Sequence, residues 1–490
     1  MSNAPLSEGM GQAVEGLFGP QAIGGPAAPE AVGGRPRLRC ADRRQAVMRC
    51  ATLDECLPED HRARLVWTYV EGLDLGRLYQ KVKAVEGHAG HPPIDPKILL
   101  ALWLYATLDG VGAAREIDRL CDEHQAYQWI CGGVSVNYHT LADFRTQPVE
   151  VLDQLLTDSV AALMHEGLVT LERIAQDGVR VRASAGAASF RRRPTLEECQ
   201  AQAQEQVRVL REEVAADPAA AAARQRGARQ RAAQERAGRL GQALAEMAEL
   251  ERKRQAQAPK APPAPPASPS PDESDRGPGG SPASKPAGPK PPAPPRVSTT
   301  DPEARVMKMA DGGYRPAFNV QYATDTASQV VTGVAVSNSP SDQGQMAPMV
   351  GQHAGRYGQR PAAVLVDGGF VTLADIEKVG AAPQAVAVYA PVPEPRKAGQ
   401  DRYQRRKDDS DLIAAWRQRM GSEAAKAIYK ERAATAECVN ALARGRGLYR
   451  FLVRGLSKAR AVALWFALAH NLMRAVTLRA QAAQAVPVAV

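Results

Sequence analysis

The chain has 490 residues, enough for two or three domains of about 150 residues, each with its own core, so a single small module is excluded. Its formal net charge of +9 favours a polyanionic partner, because Lys and Arg release counterions when they neutralise phosphates. The sequence shows no evident apolar run of about 18 residues and no signal-peptide hydrophobic region, so a soluble cytoplasmic protein with no membrane partner is expected. Seven cysteines at positions 40, 50, 56, 121, 131, 199 and 438 include no CxxC pair, which argues against a disulfide framework. Cys121, His124, Cys131 and His139 lack the paired spacing of zinc ligands, so buried thiols and packing histidines are expected there.

Residues 1–54 begin with a Gly, Ala and Pro-rich stretch and form an expected mobile N-terminal segment. From 55 to 165 the pattern is helical: WTYVEGLDLGRLYQKV, DPKILLALWLYATL, a break at Asp109-Gly110, then AAREIDRLCDEHQAYQWI. Thr140 and Asp143 in NYHTLADFR make a capping-box signature, which predicts a further helix that starts there and presents Arg145. A helix-turn-helix and an ordinary helical bundle fit this all-α domain equally well; the first would place contacts to nucleic-acid ends here, with Arg145 among them.

Residues 166–190 open a second domain with the strand candidate LERIAQDGVRVRASA, in which Asp177 precedes alternating Val and Arg. An inserted arm follows at 191–257, with Val207, Leu210 and Val214 in one half and Leu240, Leu244 and Met247 in the other. Asp217-Pro218 breaks it into a helical hairpin or partly coiled-coil pair. Residues 258–298 are a Pro, Ala, Ser and Gly-rich linker, expected to be extended and disordered. The domain resumes over 299–480, with strands expected at RPAFNVQYAT, QVVTGVAVS, AAVLVD and QAVAVYAPV and helices near 342–355 and 372–379, before a tail at 481–490. A mixed α/β core is the fold class this order implies.

Asp367 ends the apolar run AAVLV before Gly368, and Asp177 precedes Gly178; since Asp-Gly marks turns, either residue alone reads as a turn aspartate. Glu437 is a lone acid among arginines in YKERAATAECVNALARGRGLYRFLVR, sharing a broad helical face with Tyr429, Asn440 and Arg444; Arg446, Arg450, Arg454, Lys458 and Arg460 continue the charge. Taken alone, a solvated helix with ion pairs is the better explanation of such a strip. Convergence of Asp177, Asp367 and Glu437 would require cations to offset their repulsion, and hard oxygen donors suit magnesium. Glu431 is a rival to Glu437, disfavoured because Arg444 lies about two turns after Glu437 on the same face. Gln321 is expected to pack or hydrogen-bond across strands, and His470 and Asn471 to lie in a buried helix.

Over roughly residues 60–480, apart from the insertion and linker, the order of parts resembles the DDE transposases of bacterial insertion sequences. DPKILLALWLYATLDGVGAAREIDRL and HTLADFR look like the N-terminal helical transposase domain, and DPEARVMKMADGGYRPAFNVQYATD resembles the segment leading into the second core strand. The family pattern of Tyr, Arg, Glu and a basic residue is matched by Tyr429, Arg432, Glu437 and Arg444, with arginine where lysine is commoner and Cys438 after the acid. The resemblance implies an RNase H-like mixed-sheet catalytic core with an N-terminal all-α domain and an inserted helical arm. It implies Asp177, Asp367 and Glu437 as catalytic and metal-binding acids, and two Mg²⁺ ions, with Mn²⁺ as a substitute. Tyr429, Arg432, Arg444, Arg446 and Arg145 become the expected DNA contacts.

The implied function is a nucleoid-associated enzyme that binds the terminal inverted repeats of its element, cuts a strand and transfers the 3′ hydroxyl to target DNA, acting as a homo-oligomer. Two rivals share the same sequence features. One is a catalytically inactive, transposase-derived DNA-binding repressor; the other is an adaptor built on the 191–257 arm.

Overall fold

The computed structural model describes residues 41, 43, 44, 46, 48, 50–80, 82, 92–147, 149–216, 220–257, 294–381, 384–395 and 399–485. The expected mobile N-terminal segment and Pro-rich linker fall largely outside the described residues, as does the tail beyond 485. Met1–Cys50 and Ala51–Val490 form separate units, and all regular elements among the described residues belong to the second.

Its first layer is helical: α1 (Arg62–Glu71), α2 (Gly76–Tyr79), α3 (Pro96–Leu108), α4 (Ala114–Glu123), α5 (Gln125–Cys131), α6 (Tyr138–Thr146) and α7 (Val149–His165). Asp95 caps α3 by accepting from the Lys97 amide, and Pro96 occupies the first turn, where its missing N–H costs nothing. From Ile98 to Leu108 nearly every α3 side chain is buried, which is why the segment is apolar on all sides. The cap of α6 is Asn137, whose side chain accepts from the Thr140 amide, so the helix starts before the expected Thr140 box. Asparagine supplies the same acceptor chemistry from three residues upstream. His124 likewise caps α5 through Nδ1, and Cys121 lies against Cys131 as a thiol.

Strand β1 (Arg173–Arg182) leads through β2 (Phe190–Arg191) into the arm, formed by α8 (Arg193–Ala216) and α9 (Ala220–Gln257). Leu196 and Ala203 pack on Leu240, Ala243 and Met247, and Arg193 meets Glu251, so the helices run antiparallel. The break at Asp217-Pro218 lies outside the described residues. Composition assigns Val297 and Ser298 to the linker, yet they form β3 (Val297–Ser298), paired with β2. Val297 is buried in the apolar seam of the arm, and that burial overrides the composition.

The sheet is centred on β1 and β5. Strand β4 (Arg305–Lys308) and the start of β5 (Tyr314–Asp325) make a hairpin that the sequence reading did not anticipate, turned at Gly312 with φ +78°. Strand β5 carries β1 on one side and β4, then β6 (Val331–Ser337), on the other, all antiparallel. Beyond β1 lie β7 (Ala363–Leu365) and β8 (Ala387–Tyr389), both parallel. This is a mixed α/β sheet in the spatial order β6–β5–β1–β7–β8.

Helices α10 (Met346–Tyr357) and α11 (Leu373–Gly380) lie between the strands, close to the positions expected from sequence. After β8 come α12 (Asp411–Gly421), α13 (Glu423–Arg432), a π-helical turn at Ala433–Glu437, α14 (Cys438–Gly445) and α15 (Leu456–Ala485). By length and hydropathy α15 is apolar enough to cross a membrane, which the reading of the sequence missed, but here it is a core helix packed on α7, α3 and β6. Asn471 fixes it to the sheet: Nδ2 donates to Val331 O at 2.7 Å and Oδ1 accepts from Val331 N at 2.8 Å. His470 is buried and bonds Gln329 O at 2.9 Å; burial holds its pKa down at about 4.

Replacing Asn471 with Ala strands a buried N–H and a buried C=O on β6. We expect urea denaturation to show a loss of about 2–4 kcal/mol, at roughly 1–2 kcal/mol per unsatisfied group. A loss under ~0.5 kcal/mol would show that these bonds do not hold α15 to the sheet.

Candidate active site

The parallel ladder between β1 and β7 pairs Ala175 with Leu365. Two residues further along each strand direction stand Asp177 and Asp367, and a period of two puts both on the face shared by Ala175 and Leu365. Strand β1 continues through Asp177 because its other edge is still paired with β5, Asp177 lying opposite Tyr322. Strand β7 stops, and Asp367 instead caps the 3-10 turn Gly368–Phe370, accepting from the Gly369 amide at 2.8 Å.

The helical segment covering this face brings the third acid. Ala436, in the π-turn, packs against Ala175 and Leu365, so its neighbour Glu437 is held over the strand ends. A π-turn inserts an extra residue into the helical repeat, and such turns gather at functional sites. Arg432 links the acids: Nη1 is 3.9 Å from Asp177 Oδ2 and Nη2 is 3.3 Å from Glu437 Oε1. The Tyr429 ring lies 6.0 Å from the same guanidinium. Asn440, one turn beyond Glu437, donates from Nδ2 to Asp177 Oδ2 at 2.9 Å. Glu431 points elsewhere, to Arg173 at 3.0 Å.

Burial pushes the Asp177 carboxyl above its usual range; Arg432 opposes the shift and Asp367 reinforces it. A polar cluster lies beneath, on the opposite face. Asp342 Oδ1 accepts from Asn319 at 2.7 Å and from Gln321 at 2.6 Å, while Oδ2 accepts from Arg180 at 2.8 Å. Gln176 completes it by donating to Gln321 at 3.0 Å. Gly178 is glycine for this reason: a Cβ there would collide with Asp342, Gln321 and Asn319. The Asp177-Gly178 pair therefore marks a close approach inside a strand, not a turn.

Of the residues singled out from sequence, Asp177, Asp367, Glu437, Tyr429 and Arg432 come together. Arg444 is exposed and lines a groove of about 700 Å³ with Gly178, Arg180, Arg182, Lys308 and Arg315. Arg446 is half-buried in a separate cavity. Arg145 departs from expectation: it is only 8% exposed, stacked 4.9 Å from the Trp103 ring, and so is not presented on the helix surface. Its apolar neighbour in α3 decides this, since an arginine stem and guanidinium face pack well on indole. Helical spacing placed Asn440 on the face of Glu437 without giving it a role, which its bond to Asp177 now supplies, whereas no local pattern marks Asp342.

Among the described residues no three His, Cys, Asp or Glu side chains stand close enough to hold a metal ion as they are. Glu437, whose side chain is 60% exposed, is turned to Arg432. The chemistry of the donors nevertheless fits a hard divalent cation: three carboxylates, plus Asn440 Oδ1, which is buried without a partner. Arg432 supplies the positive charge between Asp177 and Glu437.

A buried carboxylate with a raised pKa costs stability at neutral pH, because the folded state holds its proton more tightly than the unfolded chain. Asp177→Asn should therefore raise the melting temperature in EDTA, by about 2–4 °C for each kcal/mol gained, and Mn²⁺ should stabilise the native protein more than the variant. A variant that melts lower in EDTA would contradict this electrostatic reading.

Residues 51–147 match the family model described as a transposase domain (DUF772), and residues 395–476 match the one described as a transposase DDE domain. The second match contains Tyr429, Arg432, Glu437 and Arg444. No curated protein and no solved structure matches the chain. The two matched domains, one helical and one carrying the Glu437 segment, are consistent with a DDE-type transposase of an insertion sequence.

Proposed function

We propose that this protein binds the ends of its insertion sequence and catalyses metal-dependent DNA strand cleavage followed by strand transfer, with Asp177, Asp367 and Glu437 as the catalytic and metal-binding acids. One observation carries the reading. Asp177 on β1 and Asp367 just beyond its parallel neighbour β7 share one face, Arg432 bridges Asp177 to Glu437 of the π-turn, and that glutamate lies within the DDE-domain match. Like charges gathered at such expense in a sheet-end site call for a cationic ligand. The strand order, three antiparallel strands extended by two parallel ones, supports an RNase H-like core.

In this reading Asp177, Asp367 and Glu437 hold two Mg²⁺ ions, for which Mn²⁺ can substitute. These ions supply Lewis acidity and a nucleophilic hydroxide at neutral pH. The chain contributes position and charge. Asn440 fixes the Asp177 carboxylate through its 2.9 Å bond, leaving the carboxylate no freedom to turn away. Asp342, held by Asn319, Gln321 and Arg180, stiffens β1 from below. Arg432, paired with Glu437 here, would turn its guanidinium to a DNA phosphate, which it can grip with two donors, and so free Glu437 as a ligand. Arg444, Arg180, Arg182, Lys308 and Arg315 line the groove beside Gly178, a basic path for the duplex backbone. Tyr429 braces DNA near the scissile bond. Hydrolysis and transfer are both phosphoryl displacements, so one centre serves both by exchange of water for a 3′ hydroxyl. Pairing of two ends favours a homo-oligomer on DNA.

Asp367→Asn should lower Mg²⁺-dependent cleavage of a duplex carrying the element's terminal repeat by at least about a thousandfold, the scale expected when several kcal/mol of metal-borne charge stabilisation is lost. Duplex affinity should change only a few-fold. Cleavage that survives the substitution would overturn the assignment of this acid. Tight end binding with no cutting by the native protein would favour a repressor.

A further inference from the structure

A second cavity, of about 260 Å³, opens between the helical layer and the sheet. Trp103 of α3, Arg145 of α6, Arg182 at the end of β1, and Arg446 and Tyr449 beyond α14 contribute to its wall. Backbone bonds fix this arrangement: the Arg182 amide donates to Tyr449 O at 3.1 Å and the Phe451 amide to Arg182 O at 2.8 Å. Trp465 Nε1 donates to Arg145 O at 2.9 Å, and Trp103 Nε1 to Leu141 O at 3.0 Å, holding α6 in place.

Among the described residues, no carboxylate pairs with Arg145, Arg182 or Arg446 in this wall. Arg145 is more than nine-tenths buried, and among the described residues no carboxylate pairs with it. Arg446 Nη1 is buried with no hydrogen-bond partner. Burial lowers the affinity of both guanidinium groups for their protons, Arg145 falling to about 10. Asp109, near the rim, is engaged by Arg62 at 3.8 Å and by the Tyr127 hydroxyl at 3.4 Å. Holding buried guanidinium groups such as Arg145, with no carboxylate partner among the described residues, in an aromatic-lined cavity is costly unless an anion enters it. Guanidinium forks match phosphate geometry in particular.

Arg182 and Tyr449 line both this cavity and the basic groove that reaches Gly178, which follows Asp177 in β1 and faces the other side of the strand. From Asp177 to Arg182 the strand covers roughly 16 Å, a separation of a few nucleotides. We propose that this cavity receives one backbone phosphate of the DNA strand that leaves the carboxylate centre along the groove, held by Arg145, Arg446 and Arg182. The proposal rests on the transposase reading above and adds to it an anchoring site distinct from the acids.

The test is a coupling measurement in EDTA, using the full chain and a fluorescent duplex carrying the element's terminal repeat, with one phosphate at a time replaced by an uncharged methylphosphonate. One linkage should weaken native binding by about tenfold and cause no further loss in Arg446→Gln, whose log affinity against log salt should also flatten by about one. Arg145→Gln should behave alike if it folds; Arg446→Gln, altered at a half-buried residue, keeps the test decisive if it does not, with thermal melts checking both. Absence of any linkage that couples to Arg446 would overturn the proposal. So would protection of the native protein by inorganic pyrophosphate with no such coupling, which would mark a small-anion pocket instead. Coupling retained by a protein unable to cut DNA would leave the phosphate site standing while the catalytic reading failed.

Discussion

Parallel pairing of Ala175 with Leu365 sets two aspartates side by side at the end of the sheet, where their mutual repulsion and partial burial oppose folding. Much of the surrounding structure offsets that cost. Arg432 places a guanidinium against Asp177 and Glu437, Asn440 donates to Asp177, and Gly369 donates to Asp367. The helical cover sits where it does because Ala436 is small enough to lie on Ala175 and Leu365. A larger side chain there would lift Glu437 away from both aspartates.

Arg432 gives the centre a resting state. With the guanidinium between two acids, part of the site's negative charge is offset without a divalent ion, and Glu437 remains exposed enough to turn. In the proposed reading, Arg432 would exchange a carboxylate for a DNA phosphate, which would free Asp177 and Glu437 to hold a cation with Asp367. In such an exchange each group would trade one oppositely charged partner for another, so no charge is left bare during assembly. The buried layer of Gln176, Asn319, Gln321 and Asp342, hydrogen-bonded to one another on the other face of β1, stays outside this exchange.

Local chemistry made much of this legible in the sequence. Apolar runs of the right length gave β1, β5, β6, β7 and β8, and the Asp95-Pro96 start of α3 is a direct signal of a capped helix. Two-residue strands such as β3 carry too little pattern to be separated from a Pro-rich linker, and β4 exists only because β5 pairs with it. At the site, the acids were visible as residue types, but their meeting depends on the β1–β7 register and a π-turn, neither of which has a sequence period. Arg145 shows the converse failure. A basic residue on an amphipathic helix reads as exposed, and only the packing of α6 on Trp103 reveals that it is buried.

The most direct test is a crystal structure of the protein with Mn²⁺ and a duplex end, with anomalous scattering used to locate the metal. Anomalous peaks enclosed by Asp177, Asp367 and Glu437, with Arg432 turned from Glu437 to a phosphate, are the predicted result. Metal bound at other residues, or a DNA complex in which Arg432 still bridges Asp177 and Glu437 with no metal between the three acids, would contradict it.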